Sequence, residues 1–297
     1  MNGPTVTIII PCFNQGRFLG DAVNSVLAQS YANWECLIVN NGSTDSTEDV
    51  AQRYAVQDTR IRYFNHSKRG VSGVRNKGLA EARGKFIQFL DADDIIKPQK
   101  IEAQLQAASK ETGLIVAYCD YYTCPEDDLN VQTSRYLDPR FRTENKLTEL
   151  IARWETKMSI PMHCFLLDSR FFTQHKIRFD ERLKNHVDWD CWIGIFSLAP
   201  TILYTDSKLA VYRLHDASMC TNKLKMRNGF LRAIDKQQIR FLGKKEILVV
   251  LAQKRREIET LYHQYTWAAR MHHELKTFFG RLSRAIKSRA RKLYTGK

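Results

Sequence analysis

No C-x-x-C pair occurs among the seven cysteines at positions 12, 36, 119, 124, 164, 191 and 220, and no Cys/His spacing matches a zinc site. Such an odd, scattered set reads as reduced thiols, which excludes a disulfide framework. Long apolar runs are missing too. The run Val6 to Ile10 is interrupted by Thr7 and stopped by Pro11, far short of a signal sequence. No later segment reaches the roughly 18 uncharged apolar residues of a spanning helix. The expectation is a protein that stays in the cytoplasm, dissolved or peripheral on the inner face of the cytoplasmic membrane. Internal repeats and low-complexity linkers are absent. Negative charge is in deficit: 32 Asp and Glu stand against 46 Lys and Arg, a formal balance of +14. A partner with negative charge is therefore expected, be it a nucleotide diphosphate, an anionic lipid surface or a nucleic acid.

What is present suffices for a large α/β enzyme, since 297 residues with 43% hydrophobic content can bury a sizeable core. Strands are predicted at 6–10, 36–39, 61–64 and 86–90, and helices at 17–30, 44–54 and 71–82. This alternation implies a mostly parallel sheet covered by helices, which binds ligands beyond the carboxyl ends of its strands. Further on, a helix at 99–109, a strand at 115–119, a polar stretch at 124–146, a helix at 147–154 and a strand near 164–167 are expected. Past residue 222 the chain reads as helical and basic.

Unusual residues gather at the strand ends. Asp91-Ala92-Asp93-Asp94 follows an apolar strand and places three carboxylates in four residues, which repel one another unless a cation or donors compensate. Carboxylate oxygens suit Mg²⁺ or Mn²⁺ shared with substrate phosphates; an Asp-rich turn with a helix cap is the other reading. Asn40-Asn41-Gly42-Ser43-Thr44-Asp45 offers amides that can read a nucleobase edge, or a turn with a Ser/Thr cap.

In chain order, Pro11-Cys12-Phe13-Asn14, Gln29-Ser30-Tyr31, the N-N-G-S-T-D loop, Gly73-Val74-Arg75-Asn76-Lys77-Gly78 and Phe89-Leu90-Asp91-Ala92-Asp93-Asp94 resemble the motifs of glycosyltransferase family 2. The resemblance spans residues 5–215 and implies the A-type glycosyltransferase fold (GT-A), a Rossmann-like α/β architecture with a mostly parallel central sheet. The division it suggests is a catalytic domain over 1–220, with a nucleotide-sugar-binding half at 1–97 and an acceptor-binding half at 98–220. A basic helical extension follows at 221–297.

The resemblance implies that Pro11, Phe13 and Asn41 line the nucleoside pocket, that Arg75 lies near the nucleotide, that Asp91 faces the ribose and that Asp93 binds the metal, with Asp94 as a further contact. The family usually carries two acidic residues where this chain has Asn40 and Asn41. A UDP-sugar remains the favoured donor, because an amide oxygen can accept from a pyrimidine imide N–H, whereas guanine gains more from a carboxylate. His186-Val187-Asp188-Trp189-Asp190 resembles the family's acidic-Asp-Trp-Asp motif, which assigns the general base to Asp188; Val187 replaces the preceding acid. Trp189, Trp192, Ile193 and Phe196 recur at helical spacing, which sets Asp188 and Asp190 on opposite flanks. Tyr212-Arg213-Leu214-His215 resembles a late family segment that implies a metal or diphosphate contact for His215. Structural roles for Asp188 and His215 are the competing readings.

The activity so implied is inverting sugar transfer from a nucleotide-diphosphate sugar to a hydroxyl of a glycan or lipid-linked acceptor, as in polysaccharide or lipopolysaccharide assembly. Its cofactor would be Mn²⁺ or Mg²⁺. Residues 270–297 form a basic amphipathic pattern suited either to an anionic membrane surface or to packing on the domain. Two rival readings are an inactive interaction subunit, motivated by Asn40, Asn41 and Val187, and a nucleic-acid-binding protein. The latter is disfavoured because the carboxylate-lined loops repel phosphate; no nucleic-acid partner is expected.

Overall fold

The computed structural model describes residues 3–67, 70–133, 137–215 and 222–263. The basic segment 270–297 lies outside them. The first half runs β1 (Val6–Cys12), α1 (Gly16–Leu27), β2 (Trp34–Asn40), α2 (Thr47–Gln57), β3 (Ile61–Asn65), α3 (Val71–Glu81), β4 (Phe86–Phe89), β5 (Ile95–Ile96) and α4 (Lys100–Ala108). The second runs β6 (Ile115–Pro125), α5 (Lys146–Arg153), a 3-10 turn (Met162–Cys164), β7 (Phe165–Asp168), α6 (Arg170–Thr173), α7 (Val187–Phe196), β8 (Thr201–Leu214), α8 (Lys223–Arg240) and α9 (Lys245–Leu261).

These strands make one sheet in the order β3-β2-β1-β4-β7-β6-β8-β5. Strands β3, β2, β1 and β4 are mutually parallel, as the β-α alternation requires. Antiparallel β7 joins β4 to β6, β8 runs parallel to β6, and β5 closes the edge antiparallel. The sheet is thus mostly parallel, with β7 and β5 reversed.

Both faces are covered, which is why the β1 and β2 sequences read as nearly continuous apolar runs. Period-two alternation divides them: Ile8, Ile10, Cys36 and Ile38 pack with Leu19, Val23 and Val26 of α1, while Ile9, Leu37 and Val39 pack with Val74 of α3 in the second core. Each such fully buried aliphatic contributes roughly 1.5–3 kcal/mol. That second core also holds Leu150 of α5, Trp189 and Trp192 of α7, Phe230 of α8 and Leu251 of α9. Helices 223–240 and 245–261 therefore pack on the same side of the sheet as α3 and α7.

Two strands differ from the sequence expectation. β6 continues past residue 119 to Pro125, and a 14-residue β8 pairs with it. In β8 the polar group Thr205-Asp206-Ser207-Lys208 breaks the alternation, and the ladder accommodates it with register shifts on either side of Asp120. The six cysteines among the described residues are free and buried.

Candidate active site at the carboxyl ends of the strands

The end of β1 and the loop after β2 are stitched together by short polar contacts. Asn14, at φ 53°, accepts from Thr44 N–H at 2.8 Å through its side-chain oxygen, and its own N–H donates to Ser43 Oγ at 2.9 Å. Asp45 accepts from Gly16 N–H at 2.9 Å and from Thr47 N–H at 3.0 Å. Burial would raise the Asp45 carboxyl, but these donors outweigh it and hold the carboxyl below its ordinary range. Most polar residues of the N-N-G-S-T-D motif thus fix the loop against the start of α1.

The two asparagines divide their tasks. Asn40 is 1% exposed; its Nδ2 donates to Tyr63 Oη at 3.0 Å and its Oδ1 accepts from Ser43 N–H at 3.0 Å. An amide suits that position because it must donate on one side and accept on the other. Asn41 Oδ1 accepts from Gly70 N–H at 3.2 Å, and the backbone of Asn41 donates to Cys12 O at 2.8 Å. Pro11 is half-buried beside them, while Phe13 is 43% exposed, an unusual state for a large aromatic.

Helix α3 supplies Arg75, which is buried and donates through Nη2 to Asp91 Oδ1 at 2.8 Å. Its guanidinium also lies 5.4 Å from the Phe179 ring centre. Neighbouring Asn76 clamps the Phe179 backbone, donating to its O at 2.9 Å and accepting from its N–H at 3.0 Å. Gly78 lets α3 settle on β1, since a Cβ there would stand 2.4 Å from Ile9 Cγ2. The Gly-Val-Arg-Asn-Lys-Gly motif therefore positions one arginine and packs the helix that carries it.

The three carboxylates after β4 diverge to different partners. Asp91 meets Arg75. Asp93 Oδ2 lies 2.8 Å from His215 Nε2 at the end of β8, across 122 residues of sequence. Asp94 turns inward: its Oδ1 accepts from Arg213 N–H at 2.9 Å, and its Oδ2 makes an ion-pair contact of 2.9 Å with Nδ1 of fully buried His163. Burial, then the Asp94 and Asp91 charges, push the Asp93 carboxyl up to about 6, with His215 opposing. His163 is raised, since burial, which lowers it, is outweighed by the charge of Asp94.

The Asp93–His215 pair fits a divalent cation. A carboxylate whose proton affinity is raised by burial and then by two neighbouring carboxylates gains from a cation, and an imidazole nitrogen stands beside it. The other imidazole nitrogen, His215 Nδ1, is buried with no hydrogen-bond partner among the described residues. No group of three or more His, Cys, Asp or Glu converges as a complete cage among the described residues. Two protein ligands are nonetheless what such a metal uses when substrate phosphates supply the remainder. Phe18 of α1 packs 5.1 Å from the His215 ring and 4.5 Å from the guanidinium of Arg213, which is paired with Asp21 at 2.7 Å. Arg213 is thereby committed to α1.

Helix α7 separates its two aspartates. Asp190 is 2% exposed and accepts from Lys236 Nζ at 2.7 Å and Gln237 Nε2 at 2.5 Å of α8. Burial raises its carboxyl despite Lys236. Asp188 stays half-exposed in the first turn, where its Oδ1 accepts from Trp189 N–H at 2.8 Å and the helix dipole favours an anion. Among the described residues Asp188 makes no direct bond to the other candidate residues. The Cys191 thiol of the same helix is pushed up by burial, with the Asp190 and Asp188 charges raising it and Arg75 opposing. Val187 is 5% exposed, so a carboxylate there would be desolvated in the core. His186, left-handed at φ 57°, stacks on Phe230 at 4.2 Å with a 10° interplanar angle and faces Glu155 at 3.2 Å.

Sequence reasoning passed over His163, His186, Glu155 and Phe18. His186 opens the His186–Asp190 motif but carries no assigned role there, His163 follows Pro161-Met162 in a stretch without motif, and Phe18 looks like any core residue of α1.

The profile of the family described as Glycosyl transferase family 2 matches residues 7–175. An uncharacterised glycosyltransferase of Rickettsia prowazekii (strain Madrid E) is 30% identical over 244 residues, covering 80% of this chain and 74% of that protein. TuaG of Bacillus subtilis (strain 168), named for a glycosyltransferase role in teichuronic acid biosynthesis, is 29% identical over 75% of this chain and 84% of its own length. Among solved structures, S. aureus TarS 1-349 in complex with UDP-GlcNAc superposes with a TM-score of 0.67 at 15% identity, covering 84% of this chain and 72% of that one. The mannosyltransferase PcManGT from Pyrobaculum calidifontis, in complex with GDP-Man and Mn²⁺, gives 0.58 at 14% identity over 88% and 76%. At these identities the structural likeness shows the fold.

Proposed function

The chain belongs to glycosyl transferase family 2 and is a glycosyltransferase, and from that premise we propose that it transfers a sugar from a nucleoside-diphosphate donor to an acceptor hydroxyl with inversion. The observation that carries this reading is the meeting of Asp93 with His215, at 2.8 Å, inside a trio of carboxylates at the strand ends.

In this reading Phe13 stacks on the base, Pro11 and Asn41 border the nucleoside, and Asp91, held by Arg75, faces the ribose. Asn41 Oδ1 keeps one lone pair beyond its bond to Gly70, which suits the imide N–H of a pyrimidine; UDP-sugars are the favoured donors. Asp93 and His215 hold the divalent cation, Mn²⁺ or Mg²⁺, which when bound offsets the charge growing on the leaving diphosphate. The mixed oxygen and imidazole donors favour Mn²⁺.

Asp188 takes the proton of the acceptor hydroxyl as that oxygen attacks the anomeric carbon. The bond from that carbon to the phosphate oxygen breaks on the opposite face, so configuration inverts without a sugar-enzyme intermediate. Asp188 fits because it alone of the two α7 aspartates keeps solvent access. The acceptor is proposed to be a glycan or a lipid-linked glycan of a cell-surface polysaccharide, in keeping with the name of TuaG.

The test is release of free nucleoside diphosphate from a panel of UDP-, GDP- and dTDP-sugars, with Mn²⁺ or with chelator. Metal-dependent release from one donor class supports the reading. The absence of release from every donor sinks it.

A further inference from the structure

Among the described residues of the second half of the chain, the three most exposed large aliphatic side chains fall within the segment 239–249. Ile239, Leu242 and Val249 are 69%, 73% and 48% exposed, and all sit at the end of the hairpin that α8 and α9 form. Helix α8 buries Phe230, Ala233, Ile234 and Gln237, a spacing that marks one face. Ile239 comes two residues after Gln237, roughly 200° around the helix, and so points away from the core. Helix α9 buries Leu251, Lys254 and Ile258, and Val249 precedes Leu251 by the same offset.

The turn between the helices is ordered. Leu242 N–H donates to Ile239 O at 3.3 Å, Lys244 N–H to Phe241 O at 2.9 Å, and Gly243 adopts φ 84°, a conformation that suits glycine. This geometry keeps Phe241 at 8% exposure and holds Leu242 in solvent. Next to the aliphatics in sequence are the exposed cations Lys244 and Lys245, against the single carboxylate Glu246 within 239–249, while the Arg240 guanidinium lies against Gly194 of α7. Clustered apolar exposure of this kind marks an interaction surface. A protein partner is usually met with a rim of mixed charge, whereas an apolar tip flanked by cations matches lipid phosphates above an acyl layer.

We propose that the α8–α9 tip, residues 239–249, docks this protein on an anionic lipid bilayer. Ile239, Leu242 and Val249 enter the boundary between headgroups and acyl chains, and Lys244 and Lys245 lie on lipid phosphates. The contact is interfacial, because among the described residues no helix is long and apolar enough to cross a membrane. The hairpin is also tied to the helix that carries Asp188: Lys236 and Gln237 of α8 bond Asp190, and the Arg240 guanidinium lies so close to Gly194 that a Cβ there would be 3.1 Å from Nη1. Docking the tip therefore sets the orientation of α7 towards the bilayer. The inference goes beyond sugar transfer and is read without it.

The test is flotation of the full chain with vesicles of phosphatidylcholine plus phosphatidylglycerol, and with phosphatidylcholine alone. Two double variants are compared, Ile239→Ser with Leu242→Ser and Lys244→Glu with Lys245→Glu. All four positions are exposed, so thermal unfolding stays at the wild-type temperature, and donor hydrolysis without vesicles is unchanged. Should the serine pair lower the melting temperature, the glutamate pair decides. The wild type is expected to float with the anionic vesicles only, and each pair to weaken its partition by about tenfold or more. The proposal is overturned if both pairs bind as the wild type does, which would put the lipid contact elsewhere in the chain. It is equally overturned if the wild type ignores anionic vesicles, or if the serine pair abolishes self-association instead of lipid binding.

Discussion

His215 Nε2 stands 2.8 Å from Asp93 Oδ2, joining the end of β8 to the acidic turn after β4. Because that carboxyl is pushed up to about 6 by burial and by Asp94 and Asp91, its proton and a metal compete for one site. Mn²⁺ affinity should fall about tenfold between pH 7 and pH 5, measured calorimetrically without nucleotide. The sign for stability is the reverse of the usual carboxylate. The raised folded value means that the protonated form stabilises the metal-free protein below the unfolded value near 3.8, and this contribution is lost as pH rises through about 6. Melting temperatures of metal-free Asp93→Asn should lack that decline.

Asp188→Asn removes the proton acceptor and keeps shape. Turnover should drop by roughly 10²–10⁴ while nucleotide and Mn²⁺ bind as in the wild type. Initial rates paired with calorimetry check this. Loss of nucleotide affinity alongside rate would instead give Asp188 a binding role.

Lys236→Ala should destabilise by roughly 2–4 kcal/mol, because it strands the buried Asp190 carboxylate that Lys236 contacts at 2.7 Å. Asp190 is already raised by burial, and losing the cation raises it further. The deficit in urea unfolding should therefore widen as pH rises from 5 to 8. In Asp190→Asn with Lys236→Ala the pH dependence should vanish.

Gly78→Ala places a methyl 2.4 Å from Ile9 Cγ2 in the packed face of β1. The cost should be roughly 1–3 kcal/mol, read from urea midpoints. Combined with Ile9→Ala, which removes that Cγ2, the pair should cost less than the sum of the two single variants.

The order of β and α elements was legible because both faces of β1 and β2 are covered, so Val6–Ile10 and Cys36–Val39 stand out from their polar ends. The convergence of Asp91 and Arg75 was legible as motif, though not as an ion pair. Position 187 shows what a sequence hides. A missing acid there suggests altered chemistry, yet Val187 is simply buried in the core. Asn40 likewise stands where a residue must donate to Tyr63 and accept from Ser43. The long strand Thr201–Leu214 escaped because its centre is exposed and polar, and its pairing with β6 is a contact distant in sequence. His163 was hidden for the same reason: its meaning comes from Asp94, which only the fold brings to it.

The central claim, a divalent cation held by Asp93 and His215 for a nucleoside diphosphate, is tested most directly by calorimetric titration of UDP, GDP and dTDP with and without Mn²⁺. Wild type, Asp93→Ala and His215→Ala are compared. The account predicts that one nucleotide, with UDP favoured, binds only with Mn²⁺, and that each substitution weakens this binding by about tenfold or more. Nucleotide binding that is indifferent to Mn²⁺ and unchanged in Asp93→Ala would contradict it.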